Sequence, residues 1–231
     1  MKIIGLIGGM SWESSVQYYQ IINRTIRERL GGFHSAKCIL YSVDFAEIEL
    51  LQHQEKWEDA TQLMIEAARS VERAGAEFLV ICTNTMHKMA DEVQNQIRIP
   101  ILHIADATAE KVKGQGLKKV GLLGTRFTME EDFYKGRLVS KHGLDVIVPT
   151  AGQREILHRI IYDELCAGII KQSSEMTYLK IIEGLAREGA QGIILGCTEI
   201  GLLVKQEGCQ IPLFDTTVIH AVAAVDYALK P

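Results

Sequence analysis

The sequence lacks the features that mark membrane-spanning, secreted and disordered chains. It has only four prolines in 231 residues, too few for a Pro-rich linker. No apolar run approaches the roughly 18–20 residues needed to cross a bilayer. The apolar part of the N-terminus is too short for a signal peptide. These absences exclude a transmembrane span, and we expect no membrane partner.

The charge and the composition exclude several other classes of protein. There are 25 Lys and Arg against 29 Asp and Glu, so the formal net charge is −4. Sequence-blind nucleic-acid binding relies on clustered basic residues, and we expect no nucleic-acid partner. With 47% hydrophobic and 23% charged residues, the composition is that of an ordinary globular protein. It excludes a disordered chain, a collagen-like chain and a disulfide-dense miniprotein.

The cysteines are odd in number and follow no metal-binding spacing. They are Cys38, Cys82, Cys166, Cys197 and Cys209. Neither Cys-x-x-Cys nor His-x-x-x-His occurs, so we expect no metal site. An odd count without an export signal favours free thiols and a cytoplasmic location.

Short β-branched runs alternate with longer segments of helical spacing. The predicted strands are Lys2–Ile7, Lys37–Val43, Phe78–Cys82, Ile101–His103, Lys119–Leu123, Leu144–Val148, Gly192–Gly196 and Leu213–Phe214. The predicted helices are Trp12–Leu30, Trp57–Ala74, Met86–Gln96, Ala105–Lys113, Met129–Lys141, Gln153–Ala167, Ser174–Arg187 and Val218–Leu229. This alternation predicts an α/β fold with parallel sheets.

The chain also resembles itself at a spacing of 112 to 116 residues. Gly5–Gly8 resembles Gly121–Gly124, and the segment around Gly75 resembles that around Gly189. These matches predict two similar α/β domains, one of residues 1–102 plus 212–231 and one of residues 103–211. The alternative is that short Gly-apolar-apolar-Gly turns recur by chance in any α/β chain.

The repeat aligns Thr83 with Cys197, since each follows a strand and they lie 114 residues apart. Ligands of open α/β sheets bind beyond the carboxyl ends of the strands. We therefore expect Thr83 and Cys197 on opposite sides of one cleft between the domains.

Three short motifs combine polar residues with strand ends. Gly8-Gly9-Met10-Ser11 permits a tight turn before a helix whose free N–H groups suit an anion, or is a purely structural turn. The segment from Thr83 to His87 suits a carboxylate, or is a helix cap. We expect the preceding Cys82 to be a core thiol.

Gly196-Cys197-Thr198-Glu199 is the most informative motif. A cysteine after an apolar strand and near a helix start is expected to have a lowered pKa. Thr198 and Glu199 then lie within reach of the thiol or of a substrate. The alternative is a buried structural cysteine, as we expect for Cys38, Cys166 and Cys209.

Taken together, the motifs resemble those of the aspartate/glutamate racemase superfamily. The resemblance runs from Gly8-Gly9-Met10-Ser11-Trp12-Glu13-Ser14 through the Cys82–Lys88 segment and Gly124-Thr125 to Gly196-Cys197-Thr198-Glu199-Ile200. It implies two pseudo-symmetric Rossmann-like domains, an active site between them, no pyridoxal phosphate and a homodimer. It also implies two cysteines that flank the substrate α-carbon, one removing a proton and the other returning one.

This sequence departs from that pattern at the first catalytic position. The superfamily motif is Cys-Asn-Thr-x-His, whereas here Thr83 precedes Asn84 and Thr85. A hydroxyl is far less acidic than a thiol. We therefore expect Cys197 to abstract the proton of one enantiomer well and Thr83 to serve the opposite direction poorly.

A second departure concerns the substrate side chain. Many aspartate-specific members of the family that this chain resembles have a Lys where Cys166 stands here. They also have an Arg that is absent from this sequence, and Gln52 is its best substitute by position. Arg126, after Thr125, is a further candidate anchor. We therefore expect glutamate or a broader set of amino acids to be accepted beside aspartate.

These observations predict a cofactor-independent amino-acid racemase with Thr83 and Cys197 as acid–base groups. The expected substrate-binding residues are Met10, Ser11, Gln52, Asn84, Thr85, Thr125, Thr198 and Glu199. Two alternatives stay open: a one-cysteine decarboxylase or isomerase of the same superfamily, and a non-catalytic amino-acid-binding protein.

Overall fold

The computed structural model describes residues 1–230 and contains seven strands within them. The strands are β1 (Ile4–Gly8), β2 (Cys38–Ser42), β3 (Phe78–Ile81), β4 (Lys119–Gly124), β5 (Asp145–Ile147), β6 (Ile193–Gly196) and β7 (Leu213–Asp215). All of their pairings are parallel, which confirms the predicted α/β fold with parallel sheets.

Eleven α-helices connect and cover these strands in the described residues. They are α1 (Trp12–Leu30), α2 (Phe45–His53), α3 (Trp57–Arg73), α4 (Ala90–Gln94), α5 (Ile104–Gly114), α6 (Arg126–Glu130), α7 (Lys135–Ser140), α8 (Ala151–Asp163), α9 (Gln172–Arg187), α10 (Ile200–Leu203) and α11 (Thr216–Leu229). Short 3-10 helices occupy Thr85–Met89, Leu165–Ala167 and Gln206–Gly208. None of the described helices combines the length and the apolar character needed to cross a membrane.

The first compact unit contains, of the described residues, 1–103 and 220–230. Its sheet has the order β2-β1-β3. Every residue of β1 is buried, because apolar clusters cover both faces of the sheet. One cluster includes α3, and the other includes the buried faces of α1 and α11. A parallel strand covered on both faces explains why β1 shows no polar alternation.

The second compact unit contains residues 104–219 and a four-stranded sheet of order β5-β4-β6-β7. Its strands and helices share a single large apolar cluster. The order β5-β4-β6 repeats the order β2-β1-β3 of the first unit. An isolated parallel bridge from Ile101 to Leu79 in the first unit lies where β7 lies in the second. The two sheets therefore have the same strand order, as the sequence repeat implies.

The unit boundary differs from the sequence-based division at His103, which lies in the first unit, and at residues 212–219. We expected residues 212–219 in the first domain, but β7 pairs with β6 in the second sheet. The backbone N–H of Ile193 donates to the carbonyl of Pro212 at 2.8 Å, which ties this segment to the second unit. Residue 231, which belonged to the expected first domain, lies outside the described residues.

Several element predictions also differ in detail. The sequence pattern did not predict α2 or α10, and it predicted one helix over Met129–Lys141 where α6 and α7 are separate. The predicted strand Ile101–His103 is reduced to the bridge at Ile101. Short helices lack enough turns for a clear 3.6-residue period, so their sequence signal is weak.

Candidate active site

The polar motifs lie directly after the carboxyl ends of neighbouring strands within each unit. In the first unit, Met10 and Ser11 follow β1, and Thr83 follows β3, which pairs with β1. In the second unit, Thr125 follows β4 and Cys197 follows β6, with Gly124 opposite Gly196 in the register. Each sheet therefore presents one set of candidate residues at the edge where α/β proteins bind ligands.

The turn after β1 is a tight loop that only glycine fits at its closest point. Gly9 has a φ of +94°, and a Cβ there would lie 2.3 Å from the carbonyl oxygen of Val43. The N–H of Gly9 donates to Ser15 Oγ at 2.8 Å, and that hydroxyl donates to the carbonyl of Ser11 at 2.8 Å. The Gly9 N–H is therefore used inside the loop, and Met10 and Ser11 remain the candidate ligand contacts.

The turn after β3 buries its polar residues almost completely. Thr83, Asn84 and Thr85 are each less than a tenth exposed. The Asn84 side chain makes no capping hydrogen bond to the 3-10 helix that follows, so the helix-cap interpretation does not describe it. His87 Nδ1 lies 2.8 Å from the carbonyl oxygen of Thr83 and must donate to it. This contact holds the backbone at Thr83.

Gln52 joins the same half of the site from α2. Its side chain is 3% exposed, and its amide Nε2 donates to Met86 Sδ at 3.1 Å. Met86 directly follows Thr85. The structure thus brings Gln52 to the turn that contains Asn84 and Thr85, although the sequence pattern predicted no helix at its position.

Three buried histidines lie beneath the Thr83 turn. The ring of His87 has its centroid 4.5 Å from that of His103 and 5.8 Å from that of His220. His220 Nδ1 accepts from the Tyr18 hydroxyl at 2.9 Å, and Nε2 donates to the carbonyl of Leu102 at 2.7 Å. Burial lowers the pKa of His220 to about 4, so it is neutral at pH 7. Sequence analysis missed His103 and His220, because neither lies in a local motif.

In the second unit, Thr125 begins α6 and is tied to it. The backbone N–H of Thr128 donates to Thr125 Oγ1 at 3.3 Å, and the two hydroxyl oxygens are 3.1 Å apart. Arg126 is exposed, and its guanidinium lies 5.5 Å from the centroid of the Phe127 ring. Thr125 is thus a buried helix cap, whereas Arg126 lies on the helix surface.

Cys197 and Glu199 form a buried thiol–carboxylate pair. The thiol of Cys197 donates to Glu199 Oε2 at 2.9 Å, and the hydroxyl of Thr198 donates to the same oxygen at 2.9 Å. Thr217 Oγ1 donates to the carbonyl of Thr198 at 3.2 Å, which fastens the turn to α11. Glu199 is only 2% exposed, so its carboxylate depends on these donors for stabilisation.

The expectation of a lowered pKa at Cys197 is wrong for this structure. Burial, the negative charge of Glu199 and the nearby Cys166 together raise the pKa of Cys197 well above its ordinary value. The following helix, α10, has only four residues and offers little compensating dipole. Cys197 is therefore a thiol that is already hydrogen-bonded to a proton acceptor.

Tyr178 is a buried group of the second unit that the sequence did not reveal. Its hydroxyl has no hydrogen-bond partner among the described residues. Burial raises its pKa well above the ordinary value, and the nearby Cys197, Cys166 and Glu199 raise it further. Tyr178 therefore lies within electrostatic range of the thiol–carboxylate pair. Only its helical spacing on α9 was visible beforehand, and that spacing is shared by ordinary core residues.

The other cysteines fit the packing role expected for them. Cys82 is fully buried in an apolar cluster, and burial raises its pKa. Cys38, Cys166 and Cys209 are partly buried free thiols that pack beside apolar clusters. Cys166 is distinguished only by its electrostatic proximity to Cys197 and Tyr178.

Comparison with known proteins identifies the family. A sequence model of the family described as Asp/Glu/Hydantoin racemase matches residues 7–224, which is nearly the whole chain. Among curated proteins, the broad specificity amino-acid racemase RacX of Bacillus subtilis is 26% identical over 232 residues and 96% of each chain. The superfamily resemblance seen in the motifs is thereby confirmed.

Solved structures agree with this assignment. A crystal structure from Yersinia pestis, provisionally assigned as an Asp/Glu racemase, is 58% identical with a TM-score of 0.92 over 100% of both chains. The structure of an aspartate racemase homologue from Pyrococcus horikoshii is 38% identical with a TM-score of 0.85, again over 100% of both chains. This chain, with Thr83 and Cys197 after its strands β3 and β6, belongs to the Asp/Glu/hydantoin racemase family.

Proposed function

We propose that this protein is a cofactor-independent racemase that interconverts the L and D forms of aspartate and glutamate, with a range that extends to further amino acids. The single observation that carries this proposal is the hydrogen bond from the Cys197 thiol to Glu199 Oε2. It joins a nucleophilic side chain to a buried proton acceptor after a parallel strand. A thiol that can pass its proton to a neighbouring carboxylate is suited to general acid–base chemistry at an α-carbon.

The reaction begins with formation of the thiolate. The thiol proton passes to Glu199 over the existing 2.9 Å contact, and the positive α-ammonium of the substrate offsets the charge left on sulfur. The thiolate then takes the α-proton, and its electron pair moves into the substrate carboxylate, giving an enolate-like carbanion. Polar groups of Met10–Ser11, Asn84–Thr85, Thr125 and Thr198 stabilise the developing charge.

Inversion is completed by a proton delivered to the opposite face. In our proposal the Thr83 hydroxyl donates this proton and takes its replacement from solvent, while Glu199 releases its proton to solvent. His87 supports this step by holding the Thr83 carbonyl. Gln52 contacts the substrate side chain through its amide, so the side-chain carboxylate is bound by neutral donors.

A one-cysteine decarboxylase or isomerase is the second candidate, because Thr83 replaces the paired thiol. In that reaction Cys197 would protonate a carbanion formed by loss of carbon dioxide, or would add to an alkene diacid. A protein that binds amino acids without turnover is the remaining alternative. We further propose a homodimer in the cytoplasm, as the family resemblance and the free thiols suggest.

The decisive experiment is α-proton exchange in deuterium oxide, followed by proton NMR with L- and D-aspartate and L- and D-glutamate. Wild type is compared with Cys197→Ser and with the matched control Cys209→Ser. We expect exchange with inversion in wild type and in the control, and none in Cys197→Ser. Absence of exchange in wild type, together with carbon dioxide release from substituted malonates, would contradict the racemase and favour the decarboxylase.

A further inference from the structure

One buried group takes no part in the proposed reaction, the hydroxyl of Tyr178 on α9. The side chain of Tyr178 is fully buried, and its hydroxyl has no hydrogen-bond partner among the described residues. A buried donor without an acceptor destabilises the folded state, because it has given up its hydrogen bonds to water. Such groups are rare in native proteins, and some of them serve catalysis. The neighbours of Tyr178 show which acceptor its hydroxyl is suited to.

The carboxylate of Glu164 is one neighbour of Tyr178, but it is already supplied with donors. Ser174 lies one turn before Tyr178 on the same buried face of α9, and its Oγ donates to Glu164 Oε2 at 2.6 Å. Lys171 Nζ donates to Glu164 Oε1 at 3.2 Å. These contacts fasten the start of α9 to the residue that follows α8. They also give each oxygen of Glu164 a donor, so this carboxylate does not need the hydroxyl of Tyr178.

The thiol of Cys197 is a second neighbour. Cys197 lies in the same apolar cluster as Tyr178, and Cys166 packs against that cluster. The 3-10 helix Leu165–Ala167 contacts α10, which begins directly after Glu199. Burial raises the pKa of Tyr178 well above its ordinary value. The nearby Cys197, Cys166 and Glu199 raise that pKa further. The hydroxyl is therefore within electrostatic range of the thiol, and at neutral pH it keeps its proton and can donate.

Loss of the thiol proton changes what Cys197 requires. As a thiol, its Sγ donates to Glu199 Oε2 at 2.9 Å. Burial raises the pKa of Cys197, and the backbone N–H of Glu199, which donates to the sulfur, opposes this rise. The proposed reaction moves the thiol proton to Glu199 and leaves a negative charge on the sulfur of a residue that is 7% exposed. A buried charge needs hydrogen-bond donors in place of water, so the thiolate gains most from a further donor.

We propose that the hydroxyl of Tyr178 donates a hydrogen bond to the Cys197 thiolate and thereby stabilises it for proton abstraction. The phenol keeps its own proton: the thiol proton goes to Glu199, and the thiolate takes the α-proton of the substrate. The hydrogen bond strengthens when the sulfur becomes charged and weakens when the sulfur is protonated again. It therefore favours the reacting state over the resting state. Tyr178 acts on the substrate only through Cys197, so it is a positioning residue.

This role of Tyr178 rests on the proposed function, since a thiolate at Cys197 is a step of that reaction. The test is the rate of alkylation of Cys197 by iodoacetamide between pH 7 and pH 10, measured by mass spectrometry of the peptide that contains this residue. Wild type is compared with Tyr178→Phe, which removes only the hydroxyl. The matched control is Tyr134→Phe. Tyr134 is also fully buried in the same cluster, but burial, and not Cys197 or Glu199, raises its pKa.

We expect Tyr178→Phe to slow the alkylation of Cys197 about tenfold at each pH below the pKa of this thiol, because less of it is ionised. We expect kcat for racemisation to fall about tenfold as well, with KM within about twofold of the wild-type value. The melting temperature is expected to stay or to rise, since an unpaired buried hydroxyl has been removed. Tyr134→Phe is expected to keep the wild-type alkylation rate and kcat.

An alkylation rate that Tyr178→Phe leaves unchanged, or that Tyr134→Phe lowers equally, would overturn the proposal and make Tyr178 a structural core residue. Alkylation requires no turnover. If Tyr178→Phe slows alkylation in a protein that shows no racemisation, the stabilisation of the thiolate by Tyr178 stands and only the proposed function fails.

Discussion

At the residue scale, Thr83 and Cys197 differ far more in acidity than in size. Both follow a parallel strand, and both are less than a tenth exposed. A thiol protonates and deprotonates at accessible cost, whereas a free alkoxide is rare near neutral pH. The two directions of the proposed reaction are therefore expected to have unequal maximal rates. The equilibrium between the free enantiomers stays one to one.

Thr83→Cys is expected to accelerate the direction in which residue 83 removes the α-proton. We expect that kcat to rise at least about tenfold, equivalent to roughly 1.4 kcal/mol of transition-state stabilisation, because a thiolate replaces a hydroxyl. The measurement is the initial rate from each enantiomer separately. Thr177→Cys on α9 is the control for an added thiol. Equal wild-type rates in both directions would contradict the asymmetry.

Glu199→Gln separates the charge of Glu199 from its proposed role as proton acceptor. Removing a negative charge that raises the pKa of Cys197 is expected to lower that pKa, so alkylation of Cys197 begins at lower pH. The kcat is nevertheless expected to fall by about 10²-fold, since the proton acceptor is lost. The readouts are the pH profile of alkylation and kcat for racemisation. An unchanged alkylation profile, or an undiminished kcat, would remove Glu199 from the mechanism.

At the element scale, the loop after β1 depends on a glycine for two separable reasons. Gly9 has a positive φ, and a Cβ would meet the backbone of Val43 at 2.3 Å. Gly75 also has a positive φ, of +100°, but nothing lies within 4 Å of a Cβ placed there. Substitution of Gly75 therefore measures the conformational cost of a Cβ at positive φ without the steric cost of a backbone contact.

We expect Gly75→Ala to cost about 1–2 kcal/mol of unfolding free energy, the usual cost of a left-handed residue with a Cβ. Gly9→Ala is expected to cost clearly more, because backbone must move to admit the methyl group. Urea denaturation followed by circular dichroism measures both. Equal losses for the two variants would show that the Val43 contact adds nothing.

The elements that could be predicted from the sequence are those with long or repeated patterns. Helices α1, α3 and α9 were expected from their helical spacing, and strands β1, β3, β4 and β6 from their short apolar runs. The short helices α2 and α10 were not expected, since a few residues carry little periodicity. For that reason Gln52 could be named only because it lies near the position of an Arg in the related proteins. That it lies on a helix was seen only in the structure.

At the scale of the whole molecule, acid sensitivity is expected from the buried His220. Burial lowers its pKa from 6.5 to about 4, so the unfolded chain binds a proton before the folded chain does. Stability therefore falls as the pH decreases from 6.5 towards 4, by up to about 3 kcal/mol. The Tyr18 and Leu102 hydrogen bonds hold the neutral ring in place.

His220→Asn tests this expectation. We expect the difference in unfolding free energy between about pH 7 and pH 5 to be smaller in the variant than in wild type, because the titrating group is gone. The exposed His34 is the matched control, and His34→Asn is expected to keep the wild-type difference. An unchanged pH dependence in His220→Asn would assign the acid sensitivity to other groups.

The amino-acid sequence by itself determined the fold class, the repeat and the strand-end positions of Thr83 and Cys197. These follow from local periodicity and from short motifs, which are properties of neighbouring residues. Only the tertiary structure decided which unit contains β7, which side chain faces the Cys197 thiol, and the direction of its pKa shift. Burial and charge proximity depend on residues far apart in the chain, as the packing of His220 beneath Thr83 shows.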